Sequence, residues 1–292
     1  VSAGQHIKKG IKMKLVRFGA KGRERPGILE DDGTIRDLSG VTEDFAGSAI
    51  SCDVIEKLKT IDLKSLPEAQ KDVRLGSPLA RIGNFMCVGL NYTNHAKESN
   101  LPIPAEPILF NKAPNSLSGP NDPVIRPDNA HKLDWEVELA IVIGRPAYRV
   151  SREDALNHVA GYAICNDVSE RSWQAEGTGQ WVKGKSAPTF GPLGPWLLTA
   201  DEVPDPQALD LKLELNGKVM QSGSTADMIF PVDEIIAFTS QFMKLEPGDV
   251  ITTGTPAGVG MGFNPQVWLQ AGDEMRLSVT GLGEQRQTVQ AG

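Results

Sequence analysis

The chain has 292 residues, 40% hydrophobic and 23% charged, with a formal net charge of -7 at pH 7. That length allows one large domain or two around a sizeable core, and the acidic balance argues against nucleic acid or an anionic membrane as partner. No apolar run approaches the roughly 18 residues a membrane span needs, Val1 to Lys14 lacks a signal-peptide core, and Cys52, Cys87 and Cys165 read as reduced core residues of a cytoplasmic protein.

Residues 1–12 resemble an expression leader and are set aside. Residues 13–75 are expected to form a small N-terminal α+β domain. Lys14 to Phe18 reads as a strand, and Gly27 to Asp37 as a hairpin turning at Asp32-Gly33. Short helices are expected over 51–59 and 62–67. Nothing in this domain has the makings of a site, so it reads as packing or dimer surface.

A larger domain, 76–292, follows. Asn84 to Tyr92 is a buried strand ending at Gly89, and Thr93 or Asn94 is placed to cap a short helix that stops near Asn100. His95 and Glu98 then stand at i and i+3 on one face. A carboxylate beside an imidazole fixes its tautomer and raises its basicity, as a general base requires; the alternative is an incidental pair on a surface helix. Ile108 to Lys112 reads as a strand, and 116–129 as a long irregular loop of the kind that often carries function.

Lys132-Leu-Asp-Trp-Glu-Val-Glu-Leu-Ala-Ile-Val-Ile-Gly144 organises the rest. Asp134, Glu136 and Glu138 alternate with Trp135, Val137 and Leu139, so a strand would place the three carboxylates on one face. Carboxylates that close repel unless protons or a cation intervene. A hard cation such as Mg2+ or Ca2+ would remove the repulsion, while a solvated edge strand is the plain alternative. After a capped helix at 151–159, the strand Gly161 to Asp167 delivers a further carboxylate, Asp167, as a third oxygen ligand.

Gly179-Gln-Trp-Val-Lys-Gly-Lys-Ser186 matches the phosphate-loop pattern letter for letter. That motif needs a following helix to cradle phosphate, and Pro188, Gly191, Pro192, Gly194 and Pro195 forbid one. The nucleotide reading is rejected, and Lys185 is kept as a lone cation beside an anionic substrate. Leu209 to Ser222 is a hairpin turning at Asn216-Gly217, 231–245 an amphipathic helix, and 250–260 a Gly-rich segment in which Thr255 can present a hydroxyl and an N–H.

Gly-Leu-Asn-Tyr-Thr-Asn-His95-Ala-Lys-Glu98, Asp134-Trp-Glu136-Val-Glu138-Leu, Asn166-Asp167-Val-Ser-Glu-Arg171, Gly184-Lys185-Ser186 and Thr253-Gly-Thr255-Pro run in one order. In that order they resemble the fumarylacetoacetate hydrolase family over residues 80 to 290. The resemblance implies a β-rich α+β fold with a rolled mixed sheet, usually a homodimer. It implies a divalent ion, commonly Mg2+ with Mn2+ or Ca2+ as alternatives, held by Glu136, Glu138 and Asp167, with Asp134 behind them. His95 and Glu98 would activate water from a lid segment, and Lys185, Arg171, Gln174 and Thr255 would contact substrate. Within the family, Glu106-Pro-Ile-Leu-Phe, Ser118-Gly-Pro-Asn-Asp122 and Gly281-Leu-Gly-Glu-Gln-Arg286 are similar to the branch acting on 2,4-diketo-3-deoxy-L-fuconate and -rhamnonate. The function implied is hydrolysis of the C3–C4 bond of an anionic diketo acid to pyruvate and a hydroxy acid such as lactate. The alternatives are acylpyruvate hydrolysis, oxaloacetate decarboxylation, or a non-catalytic metal- and carboxylate-binding protein.

Overall fold

A computed structural model describes residues 12–292, so the segment read as a leader lies, but for Lys12, outside the described residues. In chain order the strands are β1 (Lys14–Phe18), β2 (Arg25–Leu29), β3 (Ile35–Asp37), β4 (Leu75–Gly76), β5 (Phe85–Gly89) and β6 (Ile108–Lys112). Next come β7 (Leu117–Ser118), β8 (Val124–Arg126), β9 (Leu133–Asp134), β10 (Val137–Ile143), β11 (Val159–Asn166) and β12 (Ser169–Glu170). The last are β13 (Gly191–Thr199), β14 (Asp210–Leu215), β15 (Lys218–Ser224), β16 (Val250–Thr252), β17 (Glu274–Val279) and β18 (Gly283–Ala291). The helices are α1 (Cys52–Leu58), α2 (Thr93–Glu98), α3 (Arg152–Ala155), α4 (Arg171–Ala175), α5 (Trp181–Lys185) and α6 (Val232–Phe242).

An 11-stranded mixed sheet runs β3-β2-β1-β13-β11-β10-β16-β5-β6, with β4 on β1 and β7 on β13. A five-stranded sheet, β15-β14-β17-β18-β8, packs against it, and β9 pairs with β12. The first three strands extend the large sheet, because Lys14 and Leu15 of β1 pair with Leu198 and Leu197 of β13.

Alternation along β10 explains where the core lies. Leu139, Ile141 and Ile143 face one apolar cluster with Leu211 and Leu213 of β14 and Met275 and Leu277 of β17. Ala140 and Val142 face a second cluster with Phe45, Ile50, Ile55 and Leu58 from the N-terminal segment. A strand buried on both faces reads as a continuous apolar run, which is why Leu139 to Ile143 carries no polar residue. Full burial contributes roughly 1.5–3 kcal/mol per large aliphatic side chain, so β10 is a rigid support for whatever its ends carry.

Several local expectations need correction. The helix expected over 62–67 is a single 3-10 turn, Leu63–Ser65, capped by the Asp62 carboxylate. Helix α2 starts at Thr93 itself, after Tyr92, with no side-chain cap, because Thr93 already has helical backbone. The loop over 116–129 contains β7 and β8. The carboxylate stretch is not one strand: Asp134 ends β9 opposite Ser169, and β10 begins only at Val137.

All three cysteines are free thiols, with Cys87 and Cys165 wholly buried. Burial pushes both buried thiols well above the ordinary range, and the nearby Asp167 carboxylate adds to the rise. Cys52, half-buried, is raised less. Thiolate is the reactive form. Native protein titrated with an aromatic disulfide reagent is therefore expected to react rapidly at no more than one thiol, and at three once denatured.

Candidate active site

The site grows from the end of the β10–β11 ladder. Val137 pairs with Asn166, so Glu136 and Glu138 flank the end of β11 and Asp167 is the next residue along. The link is tightened where the Asp167 N–H donates to the Glu136 carbonyl at 2.9 Å and the Asn166 side-chain oxygen accepts the Glu136 N–H at 3.1 Å. One carboxylate oxygen from each of Glu136, Glu138 and Asp167 lies within 4.8 Å of the others. All three residues are buried, at 4%, 2% and 0% exposure.

Cations surround this cluster unevenly. Lys185 Nζ bridges Glu136 at 2.6 Å and Asp167 at 2.7 Å. Lys112, also wholly buried, donates to the other Asp167 oxygen at 2.5 Å. Arg171 donates to Glu136 at 2.7 Å, to Asp134 at 2.8 Å and to the Gln174 carbonyl at 3.0 Å. Burial alone would raise the Glu136 carboxyl, but Lys185, Arg171 and His95 outweigh it and hold it well below the usual range. Burial likewise disfavours the Lys185 and Arg171 cations, and the carboxylates around them overcome it, holding both above their ordinary values.

Glu138 is different. Its Oε2 accepts the Gly254 N–H at 2.8 Å, and no lysine, arginine or histidine pairs with it among the described residues. Burial, with Asp167 and Glu136 beside it, pushes this carboxyl well above the usual range. A buried carboxyl with one N–H partner beside two carboxylates is what a divalent cation would relieve. The donor set, three carboxylate oxygens with no sulfur or imidazole, suits a hard cation. Four buried carboxylates, counting Asp134, stand against three cations, so a bound divalent ion would leave the site positive and ready for an anion. The residues fit a metal, and Glu136, Glu138 and Asp167 are the group that could hold it.

Asp134 is not part of this donor group. It accepts from Arg171, from Gly260 N–H at 2.6 Å and from Met261 N–H at 3.2 Å. It therefore anchors the arginine and the loop beyond Thr255. Glu170 accepts two backbone N–H groups, of Lys132 and Ser172, and caps α4.

A cavity of about 120 Å3 opens onto the cluster and brings His95, Glu136, Glu138, Arg171, Gln174, Lys185 and Thr255 together. His95 Nδ1 lies 2.8 Å from Glu98, and Glu98 also accepts the Gly258 N–H at 2.9 Å. An ionised carboxylate can only accept, so Nδ1 carries a proton, and in the neutral ring Nε2 is the acceptor. Thr255 lines the cavity, but its hydroxyl donates to the Val137 carbonyl at 2.9 Å and accepts from Gln221 at 2.8 Å. It is tied into the wall. In the phosphate-loop lookalike, α5 occupies Trp181–Lys185 and Ser186 leads towards β13 with no helix after it. A Cβ on Gly184 would meet the Glu170 carbonyl at 2.5 Å, so this glycine serves the close approach of α5 to α4.

Lys112 had no signal in the sequence beyond its place at a strand end. Phe110 had no signal either, while Trp181 and Gly258 fall inside the 179–186 motif and the Gly-rich 250–260 segment without standing out there as site residues.

The comparisons agree with this geometry. Residues 84–290 match the family model described as fumarylacetoacetate hydrolase C-terminal. A Burkholderia multivorans protein designated only as a hydrolase is 52% identical over 96% of this chain and 99% of its own. Among solved structures, fumarylacetoacetate hydrolase from Exiguobacterium antarcticum shares 40% identity with a TM-score of 0.85, covering 96% of this chain and all, 100%, of that one. Maleylpyruvate hydrolase from Sphingobium, solved with manganese(II) and pyruvate, shares 31% identity with a TM-score of 0.79, covering 96% and 100%. The chain belongs to the fumarylacetoacetate hydrolase family. Its fold is that family's sheet-rich α+β arrangement, and its carboxylate triad has the composition of a metal site.

A ligand that binds only the folded state stabilises it by about 2.7 kcal/mol at 100 times its Kd. Mn2+ or Mg2+ is expected to raise the Tm by several degrees in a thermal scan. In Glu138→Gln that rise should fall away, because one of three anionic ligands is gone.

Proposed function

We propose that the protein is a divalent-metal-dependent hydrolase that cleaves the C3–C4 bond of a 2,4-diketo acid, releasing pyruvate and a second carboxylic acid. The observation that carries this reading is His95, hydrogen-bonded to Glu98, lining the same cavity as Glu136 and Glu138 of the carboxylate triad. Binding alone needs no base, so the pair favours an enzyme over a metal- and carboxylate-binding protein. It also favours hydrolysis over decarboxylation of oxaloacetate, which needs no attacking water.

Bound by Glu136, Glu138 and Asp167, Mg2+ or a similar ion would supply Lewis-acid stabilisation of the negative charge that develops on substrate oxygen. The chain's own residues do the rest. His95 Nε2 takes a proton from water, and the hydroxide equivalent attacks the C4 carbonyl. Glu98 holds the imidazolium that results, steadied by the Gly258 N–H. The C3–C4 bond then breaks with its electron pair on C3, which takes up a proton to give pyruvate, while C4 becomes the carboxyl of the second product. Arg171 and Lys185 supply positive charge at the substrate's anionic head in a protein whose net charge is -7. Gln174 accepts from Arg171, which leaves its amide nitrogen as a donor.

For the acyl half, the sequence resemblance favours the 6-deoxy sugar acids 2,4-diketo-3-deoxy-L-fuconate and -rhamnonate. The pyruvate in the Sphingobium maleylpyruvate hydrolase supports acylpyruvates as the second reading. Both share the diketo acid head. The proposal includes a homodimer in the cytoplasm, and light scattering at twice 31.5 kDa would support the dimer.

Pyruvate release from the sugar-derived acid and from acetylpyruvate is expected with Mg2+ and lost with EDTA; release unaffected by EDTA would overturn the metal requirement. His95→Ala is expected to lower turnover by roughly 10²–10⁴-fold, the range of one general base, while keeping the metal-induced rise in Tm. Loss of both would make His95 structural.

A further inference from the structure

Strand β10 loses a backbone partner before it reaches the carboxylates. Its neighbour β16 pairs with Ala140 to Val142 and ends at Thr252. One more backbone bond follows, from the Thr253 N–H to the Leu139 carbonyl at 3.1 Å. At Val137 side chains take over. The Thr255 hydroxyl donates to the Val137 carbonyl at 2.9 Å, and the Val137 N–H donates to Gln221 Oε1 at 3.0 Å. Val137 stands between Glu136 and Glu138, and these two peptide groups are the ones that join it to them.

Gln221 comes from β15, in the five-stranded sheet, and is wholly buried. Its amide nitrogen donates to the Thr255 hydroxyl and to the Pro256 carbonyl, each at 2.8 Å. One side chain thus holds the Val137 N–H directly and the Val137 carbonyl through Thr255. A carboxamide suits the place because it accepts at one end and donates at the other. The loop it grips lies tight against β15: a Cβ on Gly258 would meet the Met220 carbonyl oxygen at 2.0 Å. The same loop supplies the Gly254 N–H that holds Glu138.

Resting on the metal-dependent reading above, we infer that Gln221 is a positioning residue for the carboxylate triad. By fixing the two peptide groups of Val137 it sets how Glu136 and Glu138 face Asp167, and so sets the affinity for a divalent ion. Gln221 does not line the cavity, so its effect runs through Val137 and Thr255.

Mn2+ titrated by calorimetry into the protein without substrate tests this. Gln221→Met keeps a side chain of similar length and removes its oxygen and nitrogen. The Kd for Mn2+ is expected to rise roughly 10-fold, the low end for residues that orient the groups holding a metal. Stability falls as well, because the Val137 N–H and Pro256 carbonyl lose a buried partner. Gln207→Met separates the two effects. Gln207 donates to the Thr225 carbonyl at 2.7 Å and accepts the Val232 N–H at 2.8 Å, outside the site. That variant is expected to lower Tm and leave the Kd unchanged. Thr255→Val removes the other half of the link, so it should weaken Mn2+ binding in the same direction. Combined with Gln221→Met it should add less than its separate effect, as residues in one hydrogen-bond network do.

An unchanged Kd in folded Gln221→Met would overturn the inference and leave the metal reading standing; if that variant does not fold, an unchanged Kd in Thr255→Val would do the same. A Kd raised equally in Gln207→Met would reduce the effect to stability and also overturn it. If the unaltered protein binds no Mn2+, the metal reading itself fails, and this inference with it.

Discussion

The constraint on which this structure depends is the burial of four carboxylates, Asp134, Glu136, Glu138 and Asp167, the last three of them converging on one another. Taking an ion out of water costs several kcal/mol even after relaxation, and removing one partner of a buried pair typically costs about 3–5 kcal/mol. The neighbouring cations answer that cost only in part. Lys112 and Lys185 together hold Asp167, Lys185 and Arg171 together hold Glu136, and Arg171 holds Asp134. Glu138 is left with a backbone N–H alone. The shortfall is local, and it is the physical reason the site suits a divalent cation and, behind it, an anionic ligand.

Holding like charges together requires a scaffold that does not yield. Strand β10, buried on both faces, supplies Glu138 at its start, and its pairing with β11 fixes Asp167 one residue beyond the ladder. The break between β9 and β10 has a use in this arrangement. It turns Asp134 away from the carboxylate triad and towards Arg171 and the Gly260–Met261 backbone. One carboxylate thereby becomes the support for an arginine that reaches a ligand and Gln174. The same loop supplies the Gly258 N–H that steadies Glu98, so the His95–Glu98 pair and the carboxylate triad are braced by one segment.

Much of this was legible in the chain. Alternation of acidic and apolar residues marked the carboxylate stretch, because side-chain direction in extended backbone follows residue parity. The i, i+3 spacing of His95 and Glu98 marked the dyad, because three residues bring side chains onto one helical face. The prolines and glycines after Ser186 excluded a phosphate-binding helix, and α5 does end at Lys185. Parity misled at one point: it treated Asp134, Glu136 and Glu138 as equivalent, when Asp134 belongs to a different strand pair.

What the sequence by itself determined is therefore the local chemistry: which carboxylates stand close along the chain, which imidazole has a carboxylate beside it, and the motif order that marks the family. What only the tertiary structure decided is which of those groups share a cavity and which are already spoken for. Gly258 reaches Glu98 across 160 positions, Lys112 reaches Asp167 across 55, and Thr255 turns its hydroxyl to Val137 across 118. Contacts of that range are set by how β-strands pair and where buried polar groups find partners. No periodicity within a short window records them.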